Sequence, residues 1–210
     1  ELKVQYEWLR EVDKFALTNS IYDMDNAYKK FFKEHAGYPK FKSKHNGRQS
    51  YKTNYSHNNI AVDFDENTIK LPKLGIIKAR VHRIFDGVIK NATISCTPSG
   101  KYFVSICVNS ELPEFRPTQG IIGIDLGIKD LCTCSDGTKC DSPDLIRLQS
   151  SLKRQQRNLS KKTKGSNNYK KQKVRLARLY EKITNIRKDS LHKLSRHLVD
   201  ENQIIVTESL

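Results

Sequence analysis

Long apolar runs are missing from this sequence. Nothing in it approaches the ~20 consecutive apolar residues that a membrane-spanning helix requires, and no segment has the basic, apolar and small-residue layout of a secretory signal. Cysteine is too scarce for a disulfide framework. The five residues Cys96, Cys107, Cys132, Cys134 and Cys140 are odd in number and mostly lie in apparent β runs, so they read as buried, reduced thiols. Cys132-Thr133-Cys134 has the wrong spacing for a zinc knuckle and reads as core. Histidine offers no metal site either: His35, His45, His57, His82, His192 and His197 show no ligand spacing and read as loop, surface or core positions. Acid is short as well. Lys+Arg 38 against Asp+Glu 23 leaves a net charge of +15, and residues 151–180 hold no acid at all. A solvated coiled coil would carry both signs, whereas charge this one-sided fits a polyanionic partner. Apolar content is not short: 37% hydrophobic residues over 210 positions suffice for one large domain or two small ones.

Three regions follow from patterning. Residues 1–49 form a helical segment and a basic loop. Leu17, Ile21, Met24, Ala27/Tyr28 and Phe31 step at the 3–4 spacing of one buried helix face, and Gly37-Tyr38-Pro39 ends the helix. Residues 50–116 break into short β runs with turn signals at Asp86-Gly87 and Pro98-Ser99-Gly100, which predicts a small antiparallel β-barrel followed by a linker at 112–117. Lys40, Lys42, Lys44, Lys73, Arg80 and Arg83 stud this half beside Tyr38, Phe41, Tyr51 and Tyr55, a mixture suited to phosphate contacts and base stacking. A solubilising surface has a similar look. Residues 117–210 alternate strand, hairpin, helices and strand. Within them residues 144–200 predict an antiparallel helical hairpin, with Ser142 as N-cap and Pro143 in the first turn. Leu148, Leu152 and Leu159 line one helix, and Leu176, Leu179, Ile183 and Ile186, then Leu191, Leu194 and Leu198, line the other. Its outer face carries Arg154, Arg157, Lys161, Lys162, Lys164 and Arg187.

The most pointed feature is Ile121 to Asp130, IIGIDLGIKD. A β-branched run delivers one carboxylate, Asp125, at its end, between Gly123 and Gly127, which leave room for a metal, a phosphate or another backbone. The run Gln203 to Thr207 delivers a second carboxylate, Glu208, in the same way. Two carboxylates at strand ends are half of a divalent-metal site: Mg²⁺ takes hard oxygen ligands, and two-metal phosphodiester cleavage uses a shared carboxylate between ions ~3.5–4 Å apart. Either residue taken alone reads better as a strand-end cap or an ion-pair partner.

The order β(Asp), β-hairpin, helices, β(Glu) matches the ribonuclease H-like fold. GIDLGIKD, the SDG turn, the run LQSSLKRQQRNLSKKTKGSNNYKK, NIRKDSLHKLS and the closing IIVTESL resemble the RuvC-like core of TnpB-type proteins, encoded by insertion sequences. AYKKFFK, GYPKFKSK, LPKLGIIKARVHR and TPSGKYFVSICV resemble that family's recognition helices and wedge-like β-barrel, so the resemblance covers nearly the whole chain. It implies an α+β to α/β protein built from a helical segment, a small antiparallel β-barrel and part of a RuvC-like domain with a basic helical hairpin. It also implies an RNA-guided DNA endonuclease that binds a guide RNA and target DNA, works in the prokaryotic cytoplasm beside the nucleoid, and uses Mg²⁺ held by Asp125 and Glu208, the first and second catalytic acids. Lys129 and Asp130 continue the first motif without an assigned role. The family's third catalytic aspartate and its cysteine-rich zinc module find no match before Leu210. The expectation is therefore a truncated chain that binds nucleic acid without cutting it, with zinc only in the part beyond. Two rival readings stay open. GIDLG also opens the phosphate-binding strand of actin-like ATPases, which favour small hydroxyl residues where Ile128-Lys129-Asp130 stand. A non-catalytic nucleic-acid-binding protein needs only the charge.

Overall fold

The protein is described by a computed structural model that covers residues 2–41, 43, 48–111, 118–127 and 130–208. Lys42, Lys44, His45, the predicted linker at 112–117, and Ile128 and Lys129 lie outside the described residues. The chain divides into two compact units, Glu1–Leu112 and Pro113–Leu210.

The first unit begins with α1 (Leu2–Gln5), a 3₁₀ turn (Glu7–Arg10) and α2 (Lys14–Lys33). Asp13 starts α2 and also anchors it. Its carboxylate accepts the Ala16 N–H at 3.0 Å, filling one of the vacant donors of the first turn, and the Thr53 hydroxyl at 2.7 Å. Thr53 is fully buried on β1 (Gln49–Asn54). A second tie joins the Asn19 amide to the Lys52 carbonyl at 2.9 Å. The expected buried face of α2 is only partly realised: Leu17, Ala27, Tyr28 and Phe31 are half-buried, but Ile21 is 62% and Met24 55% exposed, and the buried residue of the helix is Ala16, which is not one of the residues predicted for that face. These ties hold the sheet against the first two turns. The far end packs its aromatics on one another, with Phe31 5.0 Å from Phe32 and 5.3 Å from Tyr38 between ring centroids.

Two three-stranded antiparallel sheets complete this unit. One has the order β1-β5-β6, with β5 at Val88–Cys96 and β6 at Tyr102–Asn109. The other has the order β2-β3-β4, with β2 at Ala61–Asp63, β3 at Thr68–Leu71 and β4 at Gly75–Lys78. They share a core of Ile60, Ile69, Leu71, Ala92 and Ile94. The β5–β6 hairpin forms where Pro98-Ser99-Gly100 predicts it, with Cys96 opposite Tyr102. The barrel does not close among the described residues. Closure requires every edge to be paired, but β4 pairs only with β3 and β6 only with β5. β4 ends at Lys78, so Arg80 and Arg83 stand outside the sheets.

The second unit is a four-stranded sheet, order β10-β7-β8-β9, crossed by a helical hairpin. Its strands are β7 (Gly120–Leu126), β8 (Cys132–Cys134), β9 (Lys139–Cys140) and β10 (Asn202–Thr207), and its helices are α3 (Ile146–Ser160) and α4 (Asn167–Glu201). The Asp136-Gly137 turn joins β8 to β9, with Gly137 at φ +85°, a conformation open to glycine at no steric cost. α3 starts later than Ser142 and Pro143 predict. Its first residue is Ile146, whose N–H is taken by the Asp144 carboxylate at 2.9 Å, so Asp144 fills the acceptor role expected of Ser142. α4 is one 35-residue helix with two duties. Its first half packs on α3, where buried Gln172 donates to the Gln155 side chain at 2.7 Å and Ile183 is buried. Its second half sends Leu194 and Leu198 onto the sheet, against Ile122, Ile124, Cys132 and Cys134.

Candidate functional site

Side chains alternate faces along a strand. On β7, Ile122 and Ile124 join the core under α4, so Asp125 points to the opposite face, where it is exposed. β10 runs parallel to β7 with Val206 opposite Gly123 and Thr207 opposite Ile124. One step further brings Glu208 level with Asp125. Both carboxylates line a single open cleft of about 390 Å³, together with Gly123, Thr133, Ser135 and Val206. Carboxylate oxygens are hard donors, so this set fits a hard cation of the Mg²⁺ type. Cys134 also borders the cleft, but it is buried in the core under α4.

The floor of the cleft is held by backbone. Gly123 and Ser135 exchange bonds: the Gly123 N–H donates to the Ser135 hydroxyl at 3.0 Å, and the Ser135 N–H donates to the Gly123 carbonyl at 2.8 Å. At the root of the strand pair the two backbones touch, since a Cβ on Gly120 would sit 2.5 Å from the Glu201 carbonyl oxygen. Among the described glycines of this unit, close approach is thus tightest at Gly120, a position the sequence does not single out. Asp130 lies apart from the pair and has the Lys139 ammonium 3.8 Å away.

The predicted basic residues that the structure describes are all exposed: Lys40, Lys73, Arg80 and Arg83 in the first unit, and Arg154, Arg157, Lys161, Lys162, Lys164 and Arg187 in the second. Lys73 is held at φ +65°. Arg154 and Arg157 stand on α3. Lys161, Lys162 and Lys164 form the turn at the hairpin tip, where Ser166 caps α4 by accepting the Tyr169 N–H at 3.1 Å. Arg187 borders a separate hollow of about 590 Å³ with Asp144 and Gln149. Ion pairs on α4 include Lys193 with Asp189 and Arg196 with Asp200, each at 2.7 Å, and the His197 ring lies 3.1 Å from the Glu201 carboxylate.

Thiols are where the sequence reading falls short. Cys132 and Cys134 are buried and Cys96 half-buried as expected, but Cys107 is exposed on the outer face of β6. Cys140 stands directly across from Cys132 in the β8–β9 ladder, and the sulfurs of Cys132, Cys134 and Cys140 all lie within 4.8 Å of one another. Burial, then the neighbouring Cys140 and Cys134 thiols, push Cys132 up to about 12. Burial also raises Cys134, helped by Cys140. The grouping follows from a three-residue turn, 135–137, which sets 134 against 138, 133 against 139 and 132 against 140; a two-residue turn at Asp136-Gly137 would have set Cys132 against Asp141 instead.

Two carboxylates on adjacent parallel strands and a helical hairpin with no acid over residues 151–180 mark an α+β protein with a carboxylate cleft and a basic surface. The chain belongs to the OrfB_IS605 family, described as "Probable transposase", whose pattern matches residues 105–210. It is 37% identical over 206 residues to a protein of Escherichia coli (strain K12) named "Putative RNA-guided DNA endonuclease InsQ", an alignment covering 97% of this chain and 50% of that protein. It is 33% identical over 207 residues to a "Putative RNA-guided DNA endonuclease" of Streptomyces pristinaespiralis, again with 97% and 50% coverage. A Mycobacterium tuberculosis protein of the same description is 27% identical over 179 residues, 78% of this chain and 39% of its own length. The chain spans about half the length of the first two of these relatives.

Proposed function

We propose that this chain acts in an RNA-guided DNA endonuclease of a transposable element, with a RuvC-like site that cuts phosphodiester bonds. The observation that carries the proposal is the placement of Asp125 and Glu208 at one level of adjacent parallel strands, lining one cleft. In a chain related to proteins named as such endonucleases, that pair would hold a divalent cation such as Mg²⁺. When bound, the ion supplies Lewis-acid stabilisation of the charge that builds on phosphodiester oxygens. The residues of the chain do the rest. The two carboxylates present their oxygens from strands fixed by the backbone, and the cations of α3, α4 and their turn hold phosphate backbones without reading bases. Guide RNA and target DNA would be the partners, with base pairing carrying most of the sequence choice. The working compartment would be the prokaryotic cytoplasm, at the nucleoid.

The test is Mg²⁺-dependent cleavage of guide-matched DNA by a protein of its relatives' full length that contains this chain, loaded with its guide RNA, compared with Asp125→Ala. Loss of cleavage with retained nucleic-acid binding is expected. Cleavage at parental rate in the variant would refute the catalytic assignment. A parent that binds guide and target but never cuts would leave the protein a nucleic-acid-binding module, for which the basic surface alone suffices.

A further inference from the structure

We propose that Cys132, Cys134 and Cys140 form a three-thiolate site for a zinc ion that staples the β8–β9 hairpin to the sheet. Cys132 and Cys134 lie two apart on one strand and so face the same side, and Cys140 is the direct cross-strand neighbour of Cys132. All three sulfurs already lie within 4.8 Å of one another. An ion bound at ~2.3 Å to each would space its sulfurs ~3.8 Å apart, so the cluster closes through small side-chain rotations without moving the backbone. Three thiols packed only as small apolar groups have no need to converge from two strands on one point.

Sulfur excludes Mg²⁺ here and selects soft or borderline cations. Charge then chooses among them. Ile122, Ile124, Leu194 and Leu198 surround the cluster and offer no polar partner, so the bound group must stay close to neutral. Three thiolates leave one negative charge around a divalent ion and two around a monovalent one. Zinc therefore fits better than Cu⁺. On binding, each thiol gives its proton to solvent, three in all. Cys140 is half-exposed, which provides the route in and lets a water take the fourth position. β9 is only two residues long, and an ion here would fix it to β8, the strand that places Thr133 opposite Asp125. The inference rests on these sulfurs alone and does not require the endonuclease reading.

The experiment uses Co²⁺ as the optical probe for Zn²⁺, added to metal-free protein kept reduced by a phosphine. A Cys96→Ser/Cys107→Ser background leaves the three clustered thiols as the only ones in the chain. One equivalent of thiolate-to-cobalt charge-transfer absorption is expected, displaced by Zn²⁺, with affinity rising as pH rises because binding releases protons. Zn²⁺ should also raise the melting temperature. Cys140→Ser, at the most exposed member, should cut the absorption and weaken affinity by at least about 10-fold. No charge-transfer absorption in the background protein would overturn the proposal, a result independent of how any cluster variant folds. So would parental intensity and affinity in a folded Cys140→Ser protein, which would put the ion elsewhere.

Discussion

The carboxylate cleft and the helical hairpin of the second unit hold charge in opposite ways. The cleft has two acids whose level is set by backbone register, Thr207 against Ile124 and then Glu208 beside Asp125. The hairpin has a long run of cations with no acid among residues 151–180, all on exposed positions of two helices and a turn. A pair that must converge on one ion loses its function when either member moves by a fraction of its length. A field spread over many side chains loses a little with each one removed. The difference separates a site in which geometry decides from one in which number decides, and mutation can tell them apart.

The largest effect is expected at the carboxylates. Asp125→Ala and Glu208→Ala should each lower guided DNA cleavage by more than ~100-fold, since loss of even an outer-shell partner of a metal ligand costs about 10–100-fold. The double variant should be little worse than either single one, because the two act as a unit. Both side chains are exposed, so unfolding free energy should shift by no more than about 0.5 kcal/mol. Multiplicative losses in the double variant, measured under the same guide and target, would break the comparison by making the acids independent.

A smaller effect, through geometry alone, is expected at Gly120. The Cβ of Gly120→Val would meet the Glu201 carbonyl oxygen at 2.5 Å and the Asn202 side chain at 2.6 Å, forcing β10 away from β7. Overpacking of this kind costs ~1–3 kcal/mol. Cleavage should fall while binding at low salt is kept, because the hairpin cations do not depend on strand register. If binding and cleavage fell together, with the protein still folded by circular dichroism, the two regions would not be separable.

What the sequence made legible follows the same division. Asp125 and Glu208 stand out because β-branched runs end on them, and a parallel pair brings such ends together without further information. The hairpin is legible from Leu148 to Leu198 because helix periodicity is local. The failures need knowledge of partners. Ile21 and Met24 look like core by spacing, yet the sheet reaches only the first turns of α2. Asp144, not Ser142, takes the first free N–H of α3, a choice between two competent acceptors that composition does not settle. Barrel closure depends on pairing between distant edges, which no local pattern encodes. The thiol cluster depends on the register of one turn. The catalytic role of the acids and the region boundaries rest on the resemblance and on the experiments above.

The smallest effect per residue, and the one that tests the hairpin most directly, is the replacement of Lys161, Lys162 and Lys164 by Gln. If these lysines meet phosphates, the log–log salt dependence of binding should flatten by roughly 0.9 for every duplex phosphate left without its cation, and affinity should fall alike for unrelated sequences, because counterion release is blind to base identity. Base reading would look different: it would cost affinity on some sequences and leave the slope nearly unchanged. Location ranks the cations among themselves. Lys161, Lys162 and Lys164 sit in the turn with Gly165 at φ +86°, whereas Arg154 and Arg157 project from α3, where less freedom is left to lose on binding and each planar fork can grip a phosphate. Arg154→Gln with Arg157→Gln should therefore weaken binding more per residue than the triple lysine variant. Equal salt slopes in the triple variant and the parent would remove the turn from the binding surface, and an arginine pair no more costly per residue than the lysines would show that only the number of cations counts.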